Sequence, residues 1–96
     1  MLSVRWTEPA SRALEAILDY VAKDNPGAAL GVARRVRAAV EQLAEHPKIG
    51  RDCCVRGTRE LVIYDIPYVV PYRIKNEEVH ILSVYHASRK WPETFD

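Results

Sequence analysis

The residues of this sequence that could do chemistry are arginines of its second half and a histidine at the end of the last predicted strand. They are Arg51, Arg56, Arg59, Arg73, Arg89 and His86. Guanidinium groups bind phosphates and carboxylates bidentately, and imidazole exchanges a proton near neutral pH. If these side chains converge on one face of a sheet, they form a site for phosphates or for an acidic peptide. Such a site can cleave RNA without a metal, with His86 as the acid and Arg73 or Arg51 stabilising the transition state.

A structural interpretation of the same residues stays open. The arginines can form a solvated rim paired with Glu60, Asp65 and Glu77, and exposed pairs of this kind are common and rarely catalytic. His86 can equally be a hydrogen-bonded structural residue at a strand end. The residue types alone favour this interpretation over a catalytic site.

Other catalytic and cofactor chemistries find no support in the sequence. The histidines, His46, His80 and His86, are scattered and lack matching carboxylates, so no metal site is predicted. The four glycines form no phosphate-binding loop, so no cofactor is expected. Cys53 and Cys54 are adjacent, and because a bridge between neighbouring cysteines is strained, both are expected as reduced thiols.

Length and composition predict a single domain spanning residues 1–96. With 14 basic and 13 acidic residues, the net charge of +1 argues against binding nucleic acid by bulk electrostatics alone. No apolar run approaches the roughly 20 residues of a membrane span, and no signal-peptide pattern is found, so we expect a cytoplasmic protein with no membrane partner. Residues 48–90 carry eight basic against five acidic side chains, so a polyanionic or acidic partner is expected there.

The spacing of apolar residues predicts the elements that must position these side chains. A short strand over residues 2–6 precedes a helix capped by Thr7, and a second helix follows the break at 24–27 and ends at His46. A basic loop is predicted at residues 48–57. After it, short turns join three antiparallel strands, which are predicted at Arg59–Asp65, Tyr68–Lys75 and Val79–His86. The fold class is α+β, a helical hairpin packed on a small antiparallel sheet in the order β-α-α-β-β-β.

Two features of the predicted sheet stay open. Pro71 lies inside the second of the three strands, and its missing N–H group makes that strand an edge strand or marks a bulge. Alternation places His80 and His86 on the same side of the last strand. Both sides of that strand are largely apolar, so alternation does not decide which side is buried.

A series of fragments resembles the ParE/RelE toxins of bacterial type II toxin–antitoxin systems. The helical hairpin contributes Trp6, Ala10, Leu14, residues 17–22, Asn25-Pro26 and Ala28-Ala29. The rest of the match is Leu43-Ala44, His46-Pro47, Ile49-Gly50-Arg51, residues 57–61, residues 67–74, residues 81–86 and Arg89 to Pro92. Each fragment alone is weak, but together they cover nearly the whole chain in the right order.

The resemblance implies the same fold and the toxin half of a plasmid-stabilisation module. It implies a cognate acidic antitoxin whose disordered tail folds onto the toxin in a hetero-oligomer. The residues expected to contact the antitoxin or the target are Arg51, Arg56, Arg59, Arg73, Arg89 and Trp91. An excess of arginine suits such a partner, because a tail that folds on contact needs directional anchors.

The resembling family divides by target. ParE-like members block DNA gyrase, whereas RelE-like members are ribosome-dependent endoribonucleases that cut mRNA. Arg73 and His86 fall where the nucleases place a phosphate-binding arginine and a general acid, with Arg51 and Arg59 as supporting basic residues. Arg51 falls where those members carry a base, which arginine cannot be, since it keeps its proton in proteins.

The missing base favours inhibition of DNA gyrase, a binding function that is not enzymatic. The alternative is a RelE-like mRNA endoribonuclease that blocks translation, and it is metal-independent. A third possibility is a partner-binding remnant whose toxicity has been lost.

Overall fold

Two helices cover one face of a mixed sheet in this computed structural model, which describes residues 1–53 and 55–88. The helices are α1 (Glu8–Asp24) and α2 (Pro26–Glu41), and a 3-10 turn, Gln42–Ala44, follows α2. The strands are β1 (Ser3–Trp6), β2 (Arg51–Asp52), β3 (Arg59–Ile63), β4 (Tyr68–Lys75), β5 (Glu78–Ile81) and β6 (Tyr85–His86). The α+β class and the helical hairpin are confirmed. Within the described residues no helix is both long and apolar enough to cross a membrane.

The helical hairpin is built by two capping side chains. The Thr7 hydroxyl accepts a hydrogen bond from the Ala10 N–H group (3.4 Å) and donates one to the Ile81 carbonyl oxygen (2.6 Å). It therefore starts α1 and ties that start to β5. Asn25 alone separates the helices, and its side chain accepts from the Ala28 N–H group at 3.0 Å. The predicted four-residue break is therefore a single residue, because Pro26 already occupies the first turn of α2.

The strands follow the order β1-β5-β4-β3-β2, with β6 pairing to β4. Strands β3, β4 and β5 pair antiparallel as the short turns predict. The first strand pairs parallel to β5, with Val4 opposite Val79 and Trp6 opposite Ile81. The sequence did not predict this pairing, which requires a long connection, here the two helices followed by strands β2 to β4. Strand β2 is also new, since it lies within the predicted basic loop.

The core lies between the hairpin and one face of the sheet. Strand β4 contributes Val70 and Tyr72 to it, while Val36, Val40 and Leu43 come from the α2 side. Because side chains alternate along a strand, Arg73 points to the opposite face of the sheet. We call that opposite face, which is turned away from the helices, the distal face.

Pro71 lies in the middle of the sheet, so the prediction of an edge strand is wrong and the bulge is the correct alternative. Tyr72 pairs with Ile81 and Val69 pairs with Tyr85, so three steps along β4 oppose four steps along the partner. The Pro71 carbonyl oxygen accepts from the Leu82 N–H group at 2.9 Å. Since a residue's N and O point to the same neighbour in an antiparallel strand, the missing N–H of proline faces the bulge.

The bulge reverses the alternation of the last strand. His80 pairs with Arg73 on the distal face, whereas His86 pairs with Tyr68, which packs against the core on the helix side. The prediction that His80 and His86 share one side is therefore wrong, because one extra residue exchanges the two faces. The predicted strand Val79–His86 is accordingly divided into β5 and β6.

The cysteine prediction is also wrong for the residue that the structure describes. Cys53 is disulfide-bonded, and Cys54 lies outside the described residues. Strain sets a cost on a disulfide but does not exclude one.

Candidate functional site

On the distal face, three neighbouring strands place a histidine between two arginines. Arg73 of β4 lies opposite His80 of β5, and His80 lies opposite Arg5 of β1. Val4 and Trp6 pack against the core, so the alternation of β1 turns Arg5 to the same distal face. We call this set the Arg5–His80–Arg73 row.

Two contacts distinguish the row from an ordinary surface. The His80 Nε2 atom lies 3.1 Å from the Glu78 Oε1 atom, and the His80 side chain is one-fifth exposed. The Nε atom of Arg73 is buried and has no hydrogen-bond partner among the residues described. A buried donor without a partner is costly, and no ion pair within the described residues compensates the charge of Arg73.

Arg51 lies on the same face but already has a protein partner. Its Nη2 and Nε atoms lie 2.6 and 3.1 Å from the Glu60 Oε1 atom. Glu60 is 5% exposed, whereas the Arg51 side chain is 68% exposed. The pair neutralises a carboxylate that burial would otherwise penalise, so Arg51 has a structural task in addition to any contact with a partner.

Arg59 lies on the opposite face of the sheet from Arg51 and stabilises the basic loop through its contacts. Its Nη1 atom donates to the Gly50 carbonyl oxygen at 2.7 Å, and its Nη2 atom lies 3.6 Å from the Asp52 carboxylate. It lies opposite Tyr72 in the β3–β4 pair, on the helix side of the sheet. These contacts leave about a quarter of the side chain exposed.

Tyr72 holds the same loop from the core. Its hydroxyl accepts from the Gly50 N–H group at 2.9 Å and donates to the Pro47 carbonyl oxygen at 2.7 Å. Burial raises the pKa of Tyr72 above its ordinary value of 10.0. The hydroxyl therefore stays protonated and keeps donating over the whole neutral range.

Arg56 lies in the exposed turn before β3. Gly57 adopts a left-handed φ of 81°, and the Thr58 hydroxyl donates to the Cys53 and Val55 carbonyl oxygens at 3.0 and 2.5 Å. The turn thus presents Arg56 to solvent. Arg89 and Trp91, the remaining predicted site residues, lie outside the described residues.

His86 belongs to a groove on the helix side. The groove has a volume of about 430 Å³ and is lined by Ala13, Ala16, Ile17, Tyr20, Tyr68, Val84, Tyr85 and His86. The imidazole packs edge-on against the Tyr68 ring, with centroids 5.6 Å apart. Its Nδ1 atom accepts from the Ser88 N–H group at 3.2 Å and lies 2.8 Å from the Ser88 hydroxyl oxygen. The neutral ring consequently carries its proton on Nε2.

The predicted basic set is therefore divided between two faces. Arg51 and Arg73 are on the distal face, whereas Arg59 and His86 are on the helix side. Sequence reasoning missed Arg5 and His80 as neighbours of Arg73. The alternation of β1 could have indicated the face of Arg5, but its pairing to β5 has no signal in a single sequence. No three potential metal-ligating side chains cluster in the described part of the chain.

Comparisons with known proteins agree with this architecture. Residues 4–91 match the family model described as the ParE toxin of the type II toxin–antitoxin system parDE. The chain is 49% identical over 90 residues to Y4kP of Sinorhizobium fredii, a protein named as a toxin, covering 94% of this chain and 93% of that protein. It is 40% identical over 89 residues to toxin RelE2 of Caulobacter vibrioides, covering 93% and 99%.

Two solved structures share the fold. A chain of the chromosomal ParDE system from P. aeruginosa superposes with a TM-score of 0.81 at 32% identity, covering 92% of this chain and 98% of that one. A chain of the RelBE2 toxin–antitoxin complex from Mycobacterium tuberculosis superposes with a TM-score of 0.60 at 28% identity, covering 88% and 96%.

Proposed function

This chain belongs to the ParE toxin family of type II toxin–antitoxin systems, and we propose that it arrests growth by inhibiting DNA gyrase. It is a toxin with a cognate antitoxin as partner, in keeping with the toxin–antitoxin systems among its structural neighbours. The choice of gyrase rests chiefly on one observation. Arg73 and His86, the two residues that a nuclease mechanism would use, lie on opposite faces of the sheet.

Metal-free cleavage of RNA needs its catalytic groups around one phosphate. The general acid must come within about 3 Å of the leaving oxygen while an arginine stabilises charge on the same phosphate. Arg73 lies opposite His80, and His86 lies opposite Tyr68, five positions earlier on β4. The sheet itself separates the two side chains, so a phosphate bound to Arg73 on the distal face is out of reach of His86.

The position at which the resemblance places a general base is also occupied by a residue that cannot act as one. Arg51 keeps its proton and is held by Glu60. Glu60 is 5% exposed and pairs with a cation, so it has little access to a hydroxyl proton. A binding function, in which the toxin blocks an enzyme without chemistry of its own, needs neither group.

We also propose that the antitoxin is acidic and anchors a folding tail on the arginines. Of the predicted contacts, Arg51, Arg56 and Arg73 suit this role best, because Arg51 and Arg56 are exposed and Arg73 forms no ion pair with the described residues. Arg59 is largely used by its own loop. Arg89 and Trp91 stay proposed contacts.

A second candidate function is cleavage of mRNA on the ribosome. The observation that favours it is the 40% identity to toxin RelE2 of Caulobacter vibrioides. Gyrase and ribosomes are both cytoplasmic, so a bacterial cytoplasmic location follows from either function.

Two assays with purified toxin separate these functions. If gyrase is the target, the toxin stops supercoiling of relaxed plasmid by gyrase, and added antitoxin restores it. His86→Ala should keep this inhibition, because His86 takes no part in a catalytic reaction. Cleavage of mRNA in translating ribosomes, lost in Arg73→Ala and His86→Ala, would overturn the proposal. If neither assay responds and unpaired expression leaves growth unchanged, the chain is a remnant that has lost its toxicity.

A further inference from the structure

The Arg5–His80–Arg73 row is not needed for the fold. Its members lie on the distal face, away from the core between helices and sheet. The two arginines are on strands separated by β5, and each is a positive charge beside His80. Among the described residues neither arginine forms an ion pair, so the row presents uncompensated positive charge, which indicates an anionic ligand.

The charge around the row selects an anion. Lys75 pairs with Glu78 two positions along the β4–β5 ladder from Arg73 and His80, which places both on the distal face. Lysine, glutamate and two arginines leave an excess of two positive charges with His80 neutral. Glu78 accepts a hydrogen bond from the His80 Nε2 atom at 3.1 Å, which leaves the Nδ1 atom of that ring without a hydrogen-bond partner among the described residues. The distal face is not equally basic at its other end, because Arg51 is paired there with Glu60.

We propose that the Arg5–His80–Arg73 row binds the phosphodiester backbone of duplex DNA. Neighbouring strands are about 4.8 Å apart, so the row spans about 10 Å in a straight line across three strands. That arrangement suits a rigid, repeating series of monoanions, and guanidinium groups bind phosphate oxygens in pairs. The exposed Arg5 and the partly exposed Arg73, which forms no ion pair with the described residues, supply the contacts.

This inference goes beyond gyrase inhibition, although it suits a target that itself holds DNA. The contact belongs to this chain alone, so it is tested without gyrase. If no DNA is bound, the inference fails while the gyrase proposal still stands on its own assay.

The experiment measures binding of antitoxin-free toxin to a labelled DNA duplex by fluorescence anisotropy at several salt concentrations. For two phosphate contacts, log K should fall with log salt at a slope of about −1.8, and Arg5→Gln or Arg73→Gln should each remove about 0.9 from that slope. Arg34→Gln makes the same charge change on the exposed side of α2 and should leave the slope unchanged. Melting temperatures of all variants should match the wild type, which separates lost binding from lost folding.

Four results would overturn the proposal. The first is no binding at low salt, and the second is an equal loss in Arg34→Gln. The third is that Arg5→Gln and Arg73→Gln bind DNA normally but bind the antitoxin more weakly, which would make the row a site for acidic peptides. A single-stranded RNA that binds more tightly than the duplex, with the same dependence on Arg5 and Arg73, would replace DNA as the ligand.

Discussion

The Tyr72 hydroxyl oxygen lies 2.9 Å from the backbone nitrogen of Gly50, and both residues are buried. The same hydroxyl donates to Pro47, so a core side chain of β4 fixes two points of the loop that leads into β2. Arg51 follows Gly50 directly. The position of this arginine on the distal face therefore depends on a residue that faces the opposite side of the sheet.

Replacing Tyr72 with phenylalanine should destabilise the protein without changing its fold. The variant leaves a buried N–H group and a carbonyl oxygen without their partner, which costs about 1–3 kcal/mol. Urea denaturation should show a lower midpoint with an unchanged slope. Tyr64→Phe is the matched control, because Tyr64 is 93% exposed and its change should have no effect. Equal midpoints for Tyr72→Phe and wild type would contradict this role of the hydroxyl.

Gly50→Ala should destabilise by overpacking. A β-carbon at Gly50 would lie 2.5 Å from the Tyr72 hydroxyl oxygen and 2.6 Å from a ring carbon, distances that force the buried ring or the loop to move. The expected cost is about 1–3 kcal/mol in the free energy of unfolding. Gly31→Ala, in α2 with no atom within 4 Å of the new carbon, should instead stabilise by up to about 1 kcal/mol. The prediction fails if the two variants shift stability in the same direction.

Tyr72 should also make stability sensitive to alkaline pH. Burial raises its pKa in the folded state above 10.0, the value expected in the unfolded chain. The contribution of the Tyr72 hydroxyl to the free energy of unfolding is therefore complete below pH 10. It is lost as the pH rises from there through the pKa that Tyr72 has in the folded state. The denaturation midpoints of wild type and Tyr72→Phe should therefore converge over that pH range. Lysine titration affects both proteins equally, so it does not change the difference between them. A difference that stays constant up to pH 11 would contradict the raised pKa.

The ion pair between Arg35 and Asp65 should act at the opposite end of the pH scale. The Arg35 Nε atom lies 2.8 and 2.7 Å from the two carboxylate oxygens, and this hydrogen bonding lowers the pKa of Asp65 below 3.8. The stabilisation of the folded state by this ion pair is present above the pKa that Asp65 has in the unfolded chain. It is lost as the pH falls through the pKa that Asp65 has in the folded state. In an NMR titration, Arg35→Gln should raise the Asp65 pKa, and 1 M salt should weaken the wild-type shift because the carboxylate is exposed. An unchanged Asp65 pKa in the variant would assign the shift to another cause.

Local signals predicted the fold well, whereas the site depended on long-range pairing. Thr7 and Pro26 mark helix starts through contacts within a few residues, so both helices followed from the sequence. The face of His86 did not, because the bulge opposite Pro71 adds one residue and reverses the alternation. Arg5 joins the distal face through a parallel pairing of β1 with β5, some 75 residues apart in the chain. A single sequence contains no local pattern that predicts a pairing between strands so far apart in the chain.

Arg56 and Arg59 should respond oppositely to the same substitution, although they are three positions apart in one basic segment. Arg59 donates to the Gly50 carbonyl oxygen at 2.7 Å, so Arg59→Gln should lower the free energy of unfolding by about 1 kcal/mol. Arg56 is exposed, so Arg56→Gln should keep the wild-type melting temperature and weaken the antitoxin complex. Thermal denaturation together with calorimetric titration of the antitoxin measures both effects. A destabilised Arg56→Gln with normal antitoxin affinity would place Arg56 among the structural arginines and leave Arg51 and Arg73 as the described anchors for the partner.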